Sequence, residues 1–310
     1  MSDKSYGVKA EVICHSRNPS GDELFTLEIQ MHRFILPEFN THRCFSRNFQ
    51  SSRAVPVEKM IKQVRDHPAM PVFWGANEKG MVAWKQLGVK DKELANNLWV
   101  VAANEAADRA ECLTMLGTHK QLVNRLLEPF MWTRGVVTAT KEGLDSFFSL
   151  RCHSDAQPEI KALADAMKDA VHRSTAKELY WGELHLPYVE IEHCPASGPI
   201  YGRKGDKCLG GVENAIKVSV SCAAQVSYRM LDDSLEKATR IYNMLKLPSE
   251  GIYKEDPPHF SPTEHVAMAD SFGNAVDGIC GNFSSGWWQY RKALETGDEQ
   301  DFTTGESCRE

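Results

Sequence analysis

The chain has 310 residues, 42% hydrophobic and 25% charged, which is enough ordinary globular material to bury a sizeable core. Asp and Glu (42) outnumber Lys and Arg (36), and the formal net charge of -6 excludes the broad basic surface that binds duplex nucleic acid. A small anionic ligand held by a local cluster of cations fits this balance better.

The sequence carries no membrane or secretion signal. No stretch approaches the roughly 18 apolar residues of a membrane span, and the N-terminus lacks the apolar core of a signal peptide. Nine cysteines are scattered without a C-x-x-C pair or a metal-ligand spacing. We therefore expect a cytoplasmic protein with free thiols, no membrane contact and no metal site.

The first half of the chain predicts one strand and three helices. Alternating apolar residues predict a strand over 24–34. A helix is expected over 57–65, directly after a proline. Apolar residues recur every three to four positions over 92–116, which predicts a long helix ended by Gly117. A shorter helix follows over 119–127, closed by a proline.

The second half continues this mixed pattern. The predicted elements are a strand over 130–140, a helix over 155–173, a short strand or helix over 216–228, and a helix over 232–245. The glycine-rich, basic segment 196–211 indicates an excursion without a core of its own. The acidic tail over 295–310 is expected to be loose. These patterns predict an α/β (α+β) chain.

The segment T-H-R-C-F-S-R-N-F-Q-S-S-R-A at 41–54 is the first candidate for chemistry. Its planar guanidinium forks, which suit phosphate or carboxylate, are those of Arg43, Arg47 and Arg53. Its short polar donors are Ser46, Asn48, Ser51 and Ser52. This density favours a phosphate-binding site, and a solvated surface loop with incidental arginines is the alternative.

Two further segments could bind an anion. Arg151, in F-F-S-L-R, is expected just ahead of a helix N-terminus, where backbone N–H groups favour anions; a salt bridge to a nearby acid is the alternative. In H-F-S-P-T-E-H at 259–265, Pro262 stands where a helix starts, with Glu264 and His265 in its first turn. An ordinary helix start explains this second segment equally well.

Together these segments resemble the flavin-dependent thymidylate synthase family, whose signature reads R-H-R-x-x-S-x-N-E-x-S-x-R-Y. The residues in register with it are His42, Arg43, Ser46, Asn48, Ser51 and Arg53. R-L-L-E-P at 125–129, F-F-S-L-R at 147–151 and A-Q-P-E-I at 156–160 are also similar to family segments. The resemblance covers about half of the chain.

The order of the similar segments is unusual. S-C-A-A-Q-V-S-Y (221–228) and H-F-S-P-T-E-H (259–265) resemble segments that precede the signature in ordinary members, and here they follow it. A circular permutation explains this order, and it is similar to a subgroup associated with bacteriophages and some bacteria. The resemblance implies a single domain over 1–310, with 71–104 and 196–211 as insertions.

The resemblance implies an FAD-dependent reductive methylation of dUMP to dTMP. Methylenetetrahydrofolate gives the carbon and NADPH reduces the flavin, with no cysteine nucleophile. The implied fold is a central antiparallel sheet flanked by helices. The implied assembly is a homotetramer whose active sites are shared between subunits.

The resemblance also implies roles for individual residues. The phosphate of the nucleotide is assigned to Ser51, Ser52, Arg53 and Arg125. Arg151 is expected to face the pyrimidine ring and stabilise negative charge that develops there, and His259 to lie near the flavin ring and the folate. The residues expected along FAD are His42, Arg43, Cys44, Asn48, Ser146, Ser227, Ser261 and Glu264.

The sequence departs from the family pattern at the substrate and at the cofactor. The signature's first arginine is Thr41, its glutamate is Phe49 and its final tyrosine is Ala54. An N-x-R pair of the family is replaced by Thr140 and Glu142. Methylation of dCMP, or hydroxymethylation of a pyrimidine deoxynucleotide, therefore stays open as an alternative.

A non-catalytic flavin- or nucleotide-binding protein is the alternative from another class. The residues that argue against this alternative are Arg53, Arg125, Arg151, His259 and Glu264. A chain that is no longer selected for activity is not expected to keep all the residues of one site. The segment G-N-F-S-S-G-W-W-Q-Y-R-K at 281–292 is read as an added helix that packs, with no mechanistic role.

Overall fold

A computed structural model describes residues 7–194, 198–202, 209–227, 231–246, 261–270, 278–283 and 286–304. The strands are β1 (Lys9–Arg17), β2 (Glu23–His32), β3 (Ser46–Phe49), β4 (Trp132–Thr140), β5 (Lys177–Glu178), β6 (Leu184–His185), β7 (Glu190–Cys194), β8 (Gly198–Gly202), β9 (Ala267–Ala269) and β10 (Trp287–Gln289).

The helices confirm the mixed α/β class. They are α1 (Leu36–Asn40), α2 (Val57–Asp66), α3 (Val89–Met115), α4 (Lys120–Val123), α5 (Lys141–Arg151), α6 (Pro158–Arg173), α7 (Val212–Ala224), α8 (Leu235–Lys246), α9 (Tyr290–Thr296) and α10 (Asp301–Thr304). The 3₁₀ helices are η1 (Arg33–Ile35), η2 (Asn124–Phe130), η3 (Gln225–Ser227) and η4 (Ser261–His265).

A five-stranded sheet in the order β3-β4-β2-β1-β5 forms the centre of the protein. Its neighbours are antiparallel except at one edge, where the two-residue strand β5 runs parallel to β1. Helices α5 and α6 cover one face. The predicted central antiparallel sheet flanked by helices is therefore confirmed, with one short parallel strand added.

The alternation of β2 explains how this core forms. Phe25, Leu27 and Ile29 point into the cluster that α5 and α6 complete, and all three are buried. Burying one such side chain contributes roughly 1.5–3 kcal/mol. The predicted strand 24–34 overran by two residues, because the chain turns into η1 at Arg33.

Strand β1 was not predicted from the sequence. Its pairing with β2 is regular up to Val12, skips one residue, and resumes at Cys14. Such a bulge breaks the alternation by which a strand is recognised in a sequence. The side chains that pack on the core, Val8, Ala10 and Val12, therefore lie only on one side of the bulge.

Helix α3 confirms the long predicted helix, but its buried face is made of alanines. Ala103, Ala107 and Ala110 pack against α2 and η2, whereas Leu94 and Leu98 are 57% and 60% exposed. The helix predicted over 119–127 is only partly α-helical. It changes at residue 124 to the tighter η2, and the proline expected to close it lies inside η2.

Helix α5 corrects the predicted environment of Arg151. Thr140 caps its N-terminus by accepting a hydrogen bond from the Gly143 N–H at 3.3 Å, so F-F-S-L-R continues an existing helix. Arg151 is the last residue of α5, and α6 begins only at Pro158. Arg151 therefore lies at a helix C-terminus, where a cation is favoured by the helix dipole.

The opposite side of the sheet carries a second core, built around α7 and α8 with the short sheet β10-β9-β6. Within the segment expected to lack a core, β8 pairs with β7, and Leu209 is buried. Phe302 of α10 is 1% exposed. The expectation of a loose tail is therefore wrong for residues 295–304.

None of the helices in the described part of the chain has the length and apolar composition of a membrane span. The cysteines of the same part of the chain are free thiols.

Candidate functional site

The signature segment forms a tight turn ahead of β3, and Arg47 fixes that turn. Its guanidinium donates to the backbone oxygens of Asn40 (3.3 Å), His42 (3.1 Å) and Phe45 (3.2 Å). Arg47 is therefore largely used by the backbone and is not the free fork expected from the sequence. Arg43, in contrast, is exposed and makes no hydrogen bond or ion pair within the described ranges.

His42 and Arg151 form a direct pair. The Arg151 Nε–H donates to His42 Nε2 at 2.8 Å, and the imidazole lies edge-on to Phe147 with ring centroids 4.8 Å apart. Burial lowers the pKa of His42, and the positive charges of Arg151 and Arg47 lower it further. His42 is therefore neutral with its proton on Nδ1, and the two terminal nitrogens of Arg151 stay available.

Three other residues expected along FAD lie around this pair and on β3. Cys44 packs against the start of α5, since a Cβ on Gly143 would stand 3.2 Å from the Cys44 Cβ. Burial raises the pKa of the Cys44 thiol, which keeps it protonated and a poor nucleophile. Ser146 is exposed on α5, and Asn48 donates to the Ala223 carbonyl of α7 at 3.4 Å.

The residues expected at the nucleotide phosphate lie on two neighbouring elements. Asn124 of η2 donates to the carbonyls of Ser52 (2.6 Å) and Val55 (3.0 Å), and so ties the 51–54 turn to the helix that carries Arg125. Ser52 is buried, whereas Arg53 and Arg125 are exposed. The structure thus brings Ser51, Ser52, Arg53 and Arg125 into one region.

Sequence reasoning missed Arg33 and Glu128 in this region. Arg33 donates to the Gln50 carbonyl at 3.0 Å and pairs with Glu128 at 3.3 Å, and Glu128 also pairs with Arg125 at 2.9 Å. Burial lowers the pKa of Arg33, an effect that Glu128 opposes. A charged residue directly after an apolar strand was the signal that could have identified Arg33.

A second group of residues surrounds an open cavity of about 640 Å³ next to the signature turn. Ser261 and Glu264 of η4 line it together with Arg43, three of the residues expected along FAD, and Arg47 lines it as well. The C-terminal segment also lines this cavity, through Gly281, Asn282, Gln289, Arg291 and Lys292. The interpretation of 281–292 as a packing helix without a role at the site is therefore incomplete.

Arg291 holds Glu264 in this cavity. Its Nη1 donates to Glu264 Oε1, and its Nε donates to Glu295 at 2.8 Å. Burial lowers the pKa of Arg291, but the bonds to both carboxylates outweigh that effect and raise the pKa above its ordinary value. Sequence reasoning missed this arginine because nearly 250 positions separate it from Arg43.

Arg151 contacts His42, whereas Arg125 contacts Glu128, so these two expected site residues have different partners within the chain. His259 lies outside the described residues, as does the side chain of Ser227 at the end of η3.

A protein-family model described as "Thymidylate synthase complementing protein" matches residues 22–175. A curated flavin-dependent thymidylate synthase of Aquifex aeolicus (strain VF5) is 41% identical over 161 residues, which cover 50% of this chain and 48% of the relative. The chain thus spans about half the length of this relative.

Two solved structures are also similar to the chain. The UMP/dUMP methylase PolB from Streptomyces cacaoi, bound with 5-Br UMP, is 16% identical with a TM-score of 0.44 and covers 54% of this chain and 89% of its own. Thymidylate synthase X from Helicobacter pylori with FAD and dUMP is 18% identical with a TM-score of 0.35, over 48% of this chain and 67% of its own. Residues 22–175, which contain the signature turn, β4, α5 and α6, therefore match the flavin-dependent thymidylate synthase family.

Proposed function

We propose that the protein is an FAD-dependent methyltransferase of the thymidylate synthase type. It converts dUMP to dTMP, with methylenetetrahydrofolate as the carbon donor and NADPH as the reductant. One observation carries the proposal: the signature turn, η4 and the C-terminal segment meet at a cavity lined by four cationic side chains and one carboxylate. On a protein of net charge -6, such a local excess of cations is typical of an anion site.

The donor set fits FAD, which carries a diphosphate. The guanidinium of Arg43 has no hydrogen-bond or ion-pair partner among the described residues, so it can bind a phosphate with two N–H groups. Ser261 supplies a hydroxyl in the same cavity. The residues proposed to hold FAD are His42, Arg43, Cys44, Asn48, Ser146, Ser227, Ser261 and Glu264. FAD, when bound, supplies the hydride, and the protein supplies orientation and charge.

The nucleotide phosphate is proposed to bind at the 51–54 turn. Arg53 and Arg125 are exposed on adjoining elements, and Ser51 and Ser52 add short donors. Glu128 holds Arg125 by a 2.9 Å ion pair, which orients a guanidinium that otherwise moves freely in solvent. None of these four residues lines the cavity next to the signature turn, so phosphate and cofactor are proposed to have different cationic sites.

Arg151 is proposed to act on the pyrimidine ring. Its Nε is fixed by His42, so its terminal N–H groups can face the ring nitrogen and carbonyls of the base. A fixed cation at that place stabilises negative charge on the base and makes its C5 more nucleophilic. His42 stays neutral beside it and adds no competing positive charge. His259 is proposed as the second catalytic residue.

A homotetramer with shared active sites is part of the proposal. It is supported by the resemblance of the signature segment to the family, and in such an assembly a partner subunit can bring groups to a shared site. Circular permutation is supported by the packing of η4, which follows the signature in sequence, directly against β3. A molar mass from light scattering tests the tetramer.

The function is tested by spectroscopy and by product mass. The purified full chain, loaded with FAD, is expected to show flavin absorbance that NADPH bleaches. Incubation with methylenetetrahydrofolate and dUMP is then expected to add one CH₂ to the nucleotide. A protein that takes up no FAD, or that modifies none of dUMP, dCMP and UMP, refutes the proposal. Arg109→Ala, an exposed arginine on α3, serves as the unaffected control.

One observation favours the alternative substrate. Phe49, which replaces the glutamate of the signature, turns its ring onto Phe39 (5.4 Å between centroids) and against Gly135. A carboxylate is therefore absent where the family has one, and dCMP is a second candidate substrate. A gain of CH₂O in place of CH₂ identifies a hydroxymethyl product, and flavin uptake without any turnover identifies a binding protein.

A further inference from the structure

The segment from Gly278 to Lys292, interrupted by two undescribed residues, is built into the signature site. Ser46 of β3 donates to Asn282 Oδ1 at 2.8 Å. Gln289 donates to the Ser46 hydroxyl (3.1 Å) and to the Glu264 carbonyl (3.3 Å). One residue of β10 therefore binds both the signature strand and η4.

Two tryptophans hold this segment in place. Trp287 packs with Leu24 of β2 and with β9, and Trp288 packs in the core around α7; both are completely buried. Because β10 is fixed on both faces, the residues that follow it have a defined position relative to η4. Arg291, two residues after Gln289, is therefore placed at the cavity by the fold.

The guanidinium of Arg291 keeps donors free. Nε and Nη1 are used by Glu295 and Glu264, and Nη2 makes no hydrogen bond to any residue in the described ranges. The side chain is 35% exposed, so it is held in place yet accessible from the cavity. Arg43 reaches the same cavity from the signature turn.

The charges of this cavity explain what it can bind. Four cationic side chains line it, and Glu264 offsets part of their charge. Thr41 stands where the family signature has its first arginine, so the turn itself brings one cation fewer. Arg291 adds a guanidinium from a segment outside the matched residues 22–175.

We propose that Arg291 and Arg43 together form a clamp for the phosphate groups of the cofactor, so that residues 278–283 and 286–292 of the C-terminal segment are part of the cofactor site. The inference rests on the proposed function, in which the cavity holds FAD. The two guanidinium groups line one cavity, from the signature turn and from α9, and present donors that the described residues leave available. Binding of the diphosphate between them replaces solvent with charge-assisted hydrogen bonds.

The test measures FAD affinity by fluorescence titration of the purified full chain, separately from turnover. Arg291→Ala is expected to weaken FAD binding by roughly tenfold to a hundredfold, the effect of losing a charge-assisted hydrogen bond. The loss is expected to shrink at high salt, because salt screens exposed charges. Arg291→Gln, which keeps polar donors without the charge, is expected to show a similar loss. Arg109→Ala is the matched control.

A double-mutant cycle separates direct binding from a role through Glu264. If Arg291 binds phosphate itself, Arg291→Ala also weakens FAD binding in a Glu264→Gln background. A loss that disappears in that background, or unchanged affinity in both the Ala and Gln variants, overturns the clamp while leaving the proposed function intact. If the unaltered protein binds no FAD, both the proposed function and the clamp fall. Thermal unfolding of each variant identifies any that does not fold, and Arg291→Gln then decides.

Discussion

A chain of buried polar groups makes the stability of this protein depend on pH. His265 Nδ1 contacts Thr138 Oγ1 at 2.8 Å, Thr138 contacts Thr26 at 2.7 Å, and Thr26 contacts His185 Nε2 at 2.8 Å. His185 continues to Ser16 at 2.9 Å. These groups lie between the central sheet and the second core, and both histidines are fully buried.

Burial lowers the pKa of His265 to about 3, and burial together with the neighbouring His15 and His265 lowers the pKa of His185 to about 3. Protonation of His265 is costly because its buried Nε2 has no hydrogen-bond partner among the residues that the structure describes. In the unfolded chain both imidazoles titrate near the ordinary histidine value of about 6.5. Between pH 3 and 6.5 the unfolded state therefore binds more protons, and the free energy of unfolding falls as the pH falls.

The expected magnitude is large. Between pH 7 and pH 5 each histidine loses about 1.9 kcal/mol of stabilisation, so the pair loses about 4 kcal/mol. Urea unfolding of the flavin-free protein at pH 7, 6 and 5 measures this loss. His265→Asn can keep the hydrogen bond to Thr138 and removes the titration, and the loss between pH 6 and 5 is expected to shrink by about 1 kcal/mol.

The matched control is His172→Gln, because His172 is exposed at the end of α6. Its pH dependence is expected to equal that of the unaltered protein. The reasoning is refuted if His265→Asn leaves the pH dependence of unfolding unchanged, or if the control changes it as much as His265→Asn does.

Three further predictions concern the sheet, the tail and the site. Gly135→Ala is expected to destabilise the protein by about 1–3 kcal/mol, because the new Cβ stands 2.4 Å from the Phe49 ring; Phe49→Ala in the same chain should remove that cost in urea unfolding. Phe302→Ala is expected to cost about 3–5 kcal/mol, because this residue of the described tail is fully buried, and an unchanged midpoint contradicts an ordered tail. Arg151→Ala is expected to abolish dUMP turnover while flavin absorbance is retained, and loss of flavin alone contradicts its role at the pyrimidine.

The helices and strands in which apolar residues follow a regular pattern could be predicted from the sequence. Helices α2 and α6 each bury one face of a regular pattern, and strand β4 is a run buried on both faces, so local sequence was sufficient to identify them. Strand β1 was missed because its bulge interrupts the alternation. The position of Arg151 was misjudged because α5, which begins at Lys141, ten residues before Arg151, was not predicted. The Thr140 cap that starts this helix is not revealed by propensity alone.

The signature residues were identified by their spacing, but their contacts were not. Spacing treated Arg43 and Arg47 alike, yet only the structure shows that three backbone carbonyls occupy Arg47. The 281–292 segment was identified as apolar and packed, and that part follows from its tryptophans. Its polar contacts with Ser46 could not be predicted, because the residue pattern within a segment does not indicate which distant segment it contacts.

The sequence by itself determined the family, the regular elements and the chemical types present at the site, because periodicity and signature spacing are local properties of the chain. Only the tertiary structure decided which cations share a cavity. That outcome depends on the burial of the two tryptophans of β10 in two different cores. Their burial places Arg291 beside Glu264, which lies 27 residues earlier in the sequence, and at the same cavity as the signature turn, which lies near the other end of the chain. Contacts of that separation are set by core packing, which no local pattern encodes.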